Sequence, residues 1–525
     1  MAEEQRRKIG SVAYEEVSEE YFEKRGLKRH AGVLALWSLG VAAVISGDFY
    51  GWNAGLAVGG FGGLLIATII VTIMYYGLCY SIAEMSPALP HTGGAYSFAR
   101  SAMGPWGGFI TGLAENMEYV ITPAVVVSAI GGYMNAIVAD LFNVSGNPWW
   151  NSPPFWWAVF YVVFVWLNVA GIEATMRFTV FINFLALAIL AVFFVSILVS
   201  GKFDPSLWFN IPAGGGDALP EGGGPFLPFG VSGIFKALPF AIWFYLAIEE
   251  LPLAAEESMD PKRDVPRATI WGMTTLVVTG FLTLILNTGV DGGAKGIGET
   301  VEPLFEGFKA VFPGADIAAI LALIGVAGLV ASFFTIIYAY GRNIYSLSRA
   351  GYFPKWMSIT HGERKTPHVA LILGAVVGYG LAYLLYWLGQ RGGHLASQVV
   401  AALLTMAVFG AVISYFMQCL SFILLRQRMP HIRRPYVSPV GEWGAGIAGF
   451  LALVSLVSLY LDPFYRPGVI GTAIWFVLGL VYFAIVSRHR LVLSPEEEFA
   501  LTKGERGHPE EEGYGKTHVT EVGAD

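Results

Sequence analysis

Apolar residues along this chain fall in twelve long blocks separated by short polar or Gly/Pro-rich intervals. The blocks run at about 31–60, 62–85, 105–141, 155–170, 178–199 and 235–255, then at 267–290, 316–347, 367–388, 398–425, 445–461 and 469–486. Many reach the ~20 residues needed to cross a ~30 Å hydrocarbon core. Their apolarity is continuous, whereas barrel strands would alternate over ~10 residues. The pattern therefore predicts an all-α integral membrane protein of about twelve transmembrane helices. Three regions follow: a polar N-terminal segment at 1–30, a transmembrane domain at 31–490, and a charged tail at 491–525, expected to be disordered. The Gly/Pro-rich interval at 201–231 suits a flexible external connection, so no separate soluble domain is expected.

Composition agrees: 55% of the residues are hydrophobic and 14% charged, where a soluble chain carries about a quarter charged. Basic residues set the orientation. With both termini cytoplasmic, about 26 of the 32 Lys and Arg fall inside and about 6 outside. The N-terminus is polar as far as Lys28, so the first helix is expected to act as its own uncleaved targeting signal. Cys79 and Cys419 both lie inside spans, which leaves no disulfide framework. Much of the net charge of -7 sits at the acidic ends and says little about partners; no nucleic-acid partner is expected. His91, His361 and His368 lack metal-ligand spacing. No phosphate loop, dinucleotide fingerprint or nucleophile elbow occurs at a credible place. The expectation is a protein without metal, cofactor or enzymatic activity.

Two spans are interrupted. The first contains Ile45-Ser46-Gly47-Asp48-Phe49-Tyr50-Gly51, and the sixth runs from Ala237 through Pro239, Trp243 and Glu249 to Pro252. Glycine is costly within a helix and an aspartate within a membrane costlier still. Spans one and six are equivalent if the first ten helices form two halves of five. Interruptions at matching places in two halves point to a transport site at the bilayer midplane.

The stretch Ser81-Ile-Ala-Glu84-Met-Ser-Pro87-Ala-Leu-Pro90-His-Thr-Gly93-Gly94-Ala-Tyr96-Ser-Phe98-Ala-Arg100 closely resembles the signature after helix two of the amino acid–polyamine–organocation superfamily. So does Trp243–Glu249 with Ala255-Glu256-Glu257. Within it, ISGDFYGWNAGL and MGPWGGFITGLAENMEYV are similar to the ethanolamine permease group. The resemblance covers about 27–490. It implies a leucine-transporter-like fold, a five-plus-five inverted repeat with two extra C-terminal helices. It also implies import of ethanolamine across a bacterial inner membrane by alternating access.

Asp48 is the informative residue, because carriers that resemble this chain usually have a Ser/Gly stretch there for the substrate carboxylate. Two like charges ~4 Å apart at an effective dielectric of 20 repel by ~4 kcal/mol, and an ammonium gains as much. Ethanolamine has an ammonium and a hydroxyl but no carboxylate. Asp48 then either contacts substrate or only caps the second half-helix. The expected substrate site joins Ser46, Gly47, Asp48 and Phe49 to Glu115 and Tyr119 of helix three and to Trp243, Phe244 and Ala247 of helix six. Glu115, ~15 Å deep, can touch substrate, carry a proton or pair structurally. Glu118 lies nearer the outside, and Glu250 points elsewhere from Glu249. Tyr119 can stack on an ammonium or pack between helices. Trp243 matches a gating aromatic, though packing is an equal reading. Glu115 and Glu249 are the candidate proton-coupling positions, with H+ the candidate coupling ion; facilitated diffusion, exchange and protonation at either glutamate all remain open. Glu84, Arg100, Glu256 and Glu257 read as ion pairs closing the inner vestibule. Several relatives carry a lysine in helix five; here Ala186 stands in its place, with Asn183 nearby. An amino acid or diamine substrate remains open, as does a non-transporting amine sensor.

Overall fold

In hydrocarbon each unpaired backbone N–H or C=O costs several kcal/mol, so apolar segments close their hydrogen bonds within helices. The computed structural model describes residues 6–15, 17–142, 148–212, 224–300, 302–312, 315–391, 394–461 and 463–506. The chain opens with a hairpin, β1 (Arg6–Ile9) and β2 (Val12–Glu15), and a short helix α1 (Glu19–Glu23). The first span is α2 (Val33–Val44) with α3 (Ser46–Phe49). It is followed by α4 (Ala54–Ala88), α5 (Ala95–Leu141), α6 (Pro153–Ala170) and α7 (Ile172–Ser200). The sixth span is α8 (Gly230–Ile242), which unwinds and resumes as a 3-10 helix over Ile248–Glu257. Then come α9 (Pro261–Asn287), the short helices α10 (Gly293–Glu299) and α11 (Pro303–Val311), and α12 (Ala315–Arg349). The chain ends with α13 (His368–Arg391), α14 (His394–Arg428), α15 (Gly441–Leu461), α16 (Arg466–Ile485), β3 (Leu491–Val492) and α17 (Pro495–Leu501).

Among the described residues, ten of these helices are long and apolar enough to cross a membrane. The two interrupted spans bring the number to the expected twelve, and the interruptions fall in spans one and six. The apolar blocks at 31–60 and 62–85 meet inside α4, where Gly60 (φ 68°, ψ 178°) turns the corner. A Cβ there would be strained and would press on Pro228. Burial separates centre from flank. The hydrophobic stretch of α12 is 94% buried, while that of α16 is 11% buried and faces outward. α14 and α12 pack along α5, and α8 packs along α4. The first span lies against α7, α9 and α12, and the sixth lies against α4, its 3-10 continuation reaching α9 and α12 as well.

One expectation is corrected. Residues 491–506 of the tail are folded, whereas 507–525 lie outside the described residues. β3 pairs in parallel with β2, Tyr14 opposite Leu491 and Glu15 opposite Val492. α17 is buried, including Glu496, Glu497 and Glu498. The reason is electrostatic: the bundle end buries Arg100 and Arg349, and the tail supplies their carboxylates, Glu497 at 2.7 Å and Glu496 at 2.5 Å. A charged segment stays unfolded only where it has nothing to bury or pair with. The three acids named from sequence, Glu84, Glu256 and Glu257, are also paired. Glu84 meets Arg426 (2.6 Å) and Arg434 (3.1 Å), and Glu257 meets Arg342 (2.9 Å). Glu256 meets Arg349 at 2.5 Å.

Candidate functional site

The two interrupted spans touch at their breaks. Gly47 lies so close to the Trp243 carbonyl and the Phe244 Cα that a Cβ would overlap them. Only glycine lets two backbones approach in this way. On the sixth span the chain leaves the helix after Ile242, and Ala247 adopts φ 84°. Left-handed geometry costs an L-residue roughly 1–2 kcal/mol. Such strain persists where surrounding packing fixes it, commonly at functional sites.

Around this contact the aromatic residues are held tightly. Phe49 lies against Gly328 of α12, and Phe244 faces Gly280 of α9 and stacks on Trp52 with centroids 5.5 Å apart. Trp243 is half-buried. It borders a cavity of about 270 Å³, also lined by Tyr50, Gly51, Phe240, Thr405 and Tyr465. Ser46 is buried beside Asp48. Above the break, Ser332 of α12 donates to the Ala43 carbonyl at 2.5 Å.

Asp48 is 2% exposed, and neither carboxylate oxygen accepts a hydrogen bond from a described residue. Thr279 of α9 faces it, but the Thr279 hydroxyl donates to the Leu276 carbonyl instead (3.3 Å). Nor does Asp48 cap a helix. Asn53 precedes α4, and its amide is spent on the Ile297 and Thr300 carbonyls, 2.8 Å each. A buried carboxylate without donors is expensive.

Glu115 and Tyr119 share a face of α5, with the phenol donating to the carboxylate at 3.5 Å. Glu115 also accepts from Asn343 of α12 at 3.4 Å. Glu249 faces Glu118 and the Tyr415 hydroxyl, while Tyr75 donates to Tyr415 at 2.9 Å. Glu118 and Glu250 are fully buried, and neither has a hydrogen-bond partner among the described residues. The cation near Glu250, Arg342, is committed to Glu257.

Residues 32–486 match the family described as amino acid permease. The chain belongs to that family. Relatives of the permease include an uncharacterized transporter of Rhizobium meliloti (strain 1021), 28% identical over 79% of this chain and 83% of its own. A methylthioribose transporter of Bacillus subtilis (strain 168) is 24% identical, covering 89% and 95%. A branched-chain amino acid permease of the same organism is 22% identical, covering 89% and 94%. Among solved structures, a nucleobase–cation–symport-1 family transporter with bromovinylhydantoin bound aligns with a TM-score of 0.46 and 15% identity, over 91% and 99% of the two chains. The family match and the apolar spans make the permease a multi-pass membrane transporter of the amino acid–polyamine–organocation superfamily.

Within the permease, Ser46, Gly47, Asp48, Phe49, Trp243, Phe244 and Ala247 gather at one break-to-break contact. Glu115, Tyr119 and Glu249 belong to an adjoining polar layer with Glu118 and Tyr415. Sequence reasoning set Glu118 and Glu250 aside, and the structure buries both in that layer. Thr279, Trp52, Asn343 and Tyr415 were missed, because ordinary span residues carry no local signal of what they face. Asn183 and Ala186 are both fully buried, and the Asn183 amide has no hydrogen-bond partner among the described residues.

Proposed function

We propose that this permease imports ethanolamine by alternating access across a bacterial inner membrane, with both termini cytoplasmic. The observation that carries the reading is the Asp48 carboxylate, buried at the contact of the two broken spans with no donor among the described residues. A primary ammonium supplies charge and three donors. At ~4 Å and an effective dielectric of 20 the pair gains ~4 kcal/mol, and a substrate carboxylate there loses as much, about a thousandfold in affinity. Aromatic faces at Trp243, Phe244 and Tyr119 suit the same cation. The unwound backbone at Ser46 and Gly47 offers partners for a hydroxyl. Glu115 and Glu249 are the positions we assign to proton coupling.

Uptake of labelled ethanolamine into proteoliposomes tests this directly, with wild type and Asp48→Asn compared at several external pH values. Absence of both uptake and exchange in wild type sinks the substrate assignment. Full activity in Asp48→Asn removes Asp48 from the binding site. A diamine substrate is favoured by one further observation, the second group of buried carboxylates at Glu115, Glu118 and Glu249. Competition by amines of graded length separates the two: a diamine carrier prefers putrescine-length compounds over ethanolamine. An amino acid substrate has the names of relatives behind it, and glycine or branched-chain amino acids belong in the same competition series.

A further inference from the structure

The face of the bundle that carries α1 and α17 holds a cavity of about 310 Å³. Five stretches of chain meet around it: the segment from Phe22 to Arg29, the end of the sixth span at Glu256, α12 at Arg349, the loop at Lys365, and the tail at Pro495. Its charged lining consists of Arg25, Arg29, Arg349 and Lys365 against Glu23 and Glu256. Arg349 is already neutralised, by Glu256 and Glu496, each at 2.5 Å. The other charged groups of the lining are Arg25, Arg29 and Lys365, with Glu23.

Arg25 is the most telling of these. It is only 8% exposed, and its guanidinium donates to the Ser358 hydroxyl (2.7 Å), the Tyr21 carbonyl (2.9 Å) and the Lys355 carbonyl (2.9 Å). It also stacks 3.6 Å from the Tyr21 ring centroid. All of these partners are neutral, and no described carboxylate forms an ion pair with it. Three of the five guanidinium N–H groups are used and two remain. A buried cation without a counter-charge is destabilising. Burial draws the Arg25 guanidinium below its usual value. Lys365 stands across the cavity at φ 52°, a conformation lysine seldom adopts, with its ammonium donating to the Glu23 carbonyl at 2.8 Å. Strained backbone of this kind persists where a local arrangement over-determines it.

We propose that this cavity binds a phosphate-class anion held by Arg25, Arg29 and Lys365. Two arginines and a lysine line this one space, and guanidinium and ammonium groups match the tetrahedral oxygens of a phosphate. The occupant ties the N-terminal segment to the Lys365 loop beside the Glu256–Arg349–Glu496 junction. It thereby strengthens the closure of that end of the bundle. The anion can come from a lipid headgroup or from a soluble phosphate, and the test separates the two.

Full-length protein in detergent is titrated with inorganic phosphate, against sodium chloride matched for ionic strength, and thermal unfolding is followed. In parallel, protein in phosphatidylcholine nanodiscs is compared with protein in discs that also contain phosphatidylglycerol. A saturable rise in Tm with phosphate but not chloride supports a soluble ligand. A rise only with phosphatidylglycerol supports the headgroup. In either case Arg29→Gln/Lys365→Gln needs at least tenfold more ligand for the same rise. Arg29→Gln alone, at an exposed side chain, shifts the response in the same direction by a smaller factor. Equal responses of wild type and both variants, or no response to either anion, overturn the proposal.

Discussion

Replacing Glu497 by glutamine isolates the contribution of the terminal clamp. Glu497 is fully buried and accepts from Arg100 (2.7 Å), Tyr14 (2.6 Å), Tyr96 (3.2 Å) and Tyr352 (2.8 Å). Glutamine keeps the shape, removes the charge, and turns one acceptor oxygen into a donor facing donors. Arg100, itself 5% exposed, is left without its counter-charge. Breaking a buried pair from one side costs about 3–5 kcal/mol. At 1.4 kcal/mol per tenfold, local opening becomes about a hundredfold to several thousandfold more populated. Hydrogen exchange on the full-length protein reads this segment by segment. In Glu497→Gln, peptides covering 6–15 and 491–501 exchange at least a hundredfold faster, while the centres of α5 and α12 keep their protection. Arg100→Leu/Glu497→Leu, which removes both charges, loses less than Glu497→Gln alone. Exchange of those peptides within threefold of wild type would refute the electrostatic account of the folded tail.

Gly47→Ala pushes a methyl into the Trp243 carbonyl; we expect normal expression, a loss of about 1–3 kcal/mol in stability, and at least tenfold slower uptake in proteoliposomes. Ala247→Gly relieves the left-handed backbone at φ 84° and should stabilise by about 1 kcal/mol, read as a higher Tm. Under the proton-coupling proposal, Glu249→Gln abolishes the acceleration of wild-type uptake by an acidic exterior and leaves exchange at equal pH; unchanged pH dependence removes Glu249 from coupling. Burial raises the Tyr14 phenol, with Glu497 adding to the rise, and pushes the Tyr21 phenol up to about 12. Since both folded values lie above the unfolded ~10, their contribution is complete below pH ~10 and is lost as pH rises beyond it. Tm should therefore be insensitive to these groups from pH 7 to 9 and fall above 10; a decline already at pH 8 would contradict this.

The chain by itself determined the class, the number of spans and the place of the two breaks. The bilayer imposes those features locally: length and continuous apolarity specify a span, and Gly47, Asp48 and the prolines around the sixth block mark where helix cannot continue. It also singled out Asp48, because a charge at mid-span is costly wherever it points. Tertiary structure decided which groups face that charge and which ends of the chain fold. Thr279 lies 231 positions from Asp48 in sequence, and no periodicity announces that they meet. The tail was read as disordered because its charge is visible locally and its partner is not. Arg100 and Glu497 are separated by 397 positions, and only the folded bundle brings the buried cation to the acid that pairs with it. The same holds for Glu118 and Glu250, whose sequence neighbours said little and whose burial beside Glu249 arises from the packing of α14 and α4 around the unwound span.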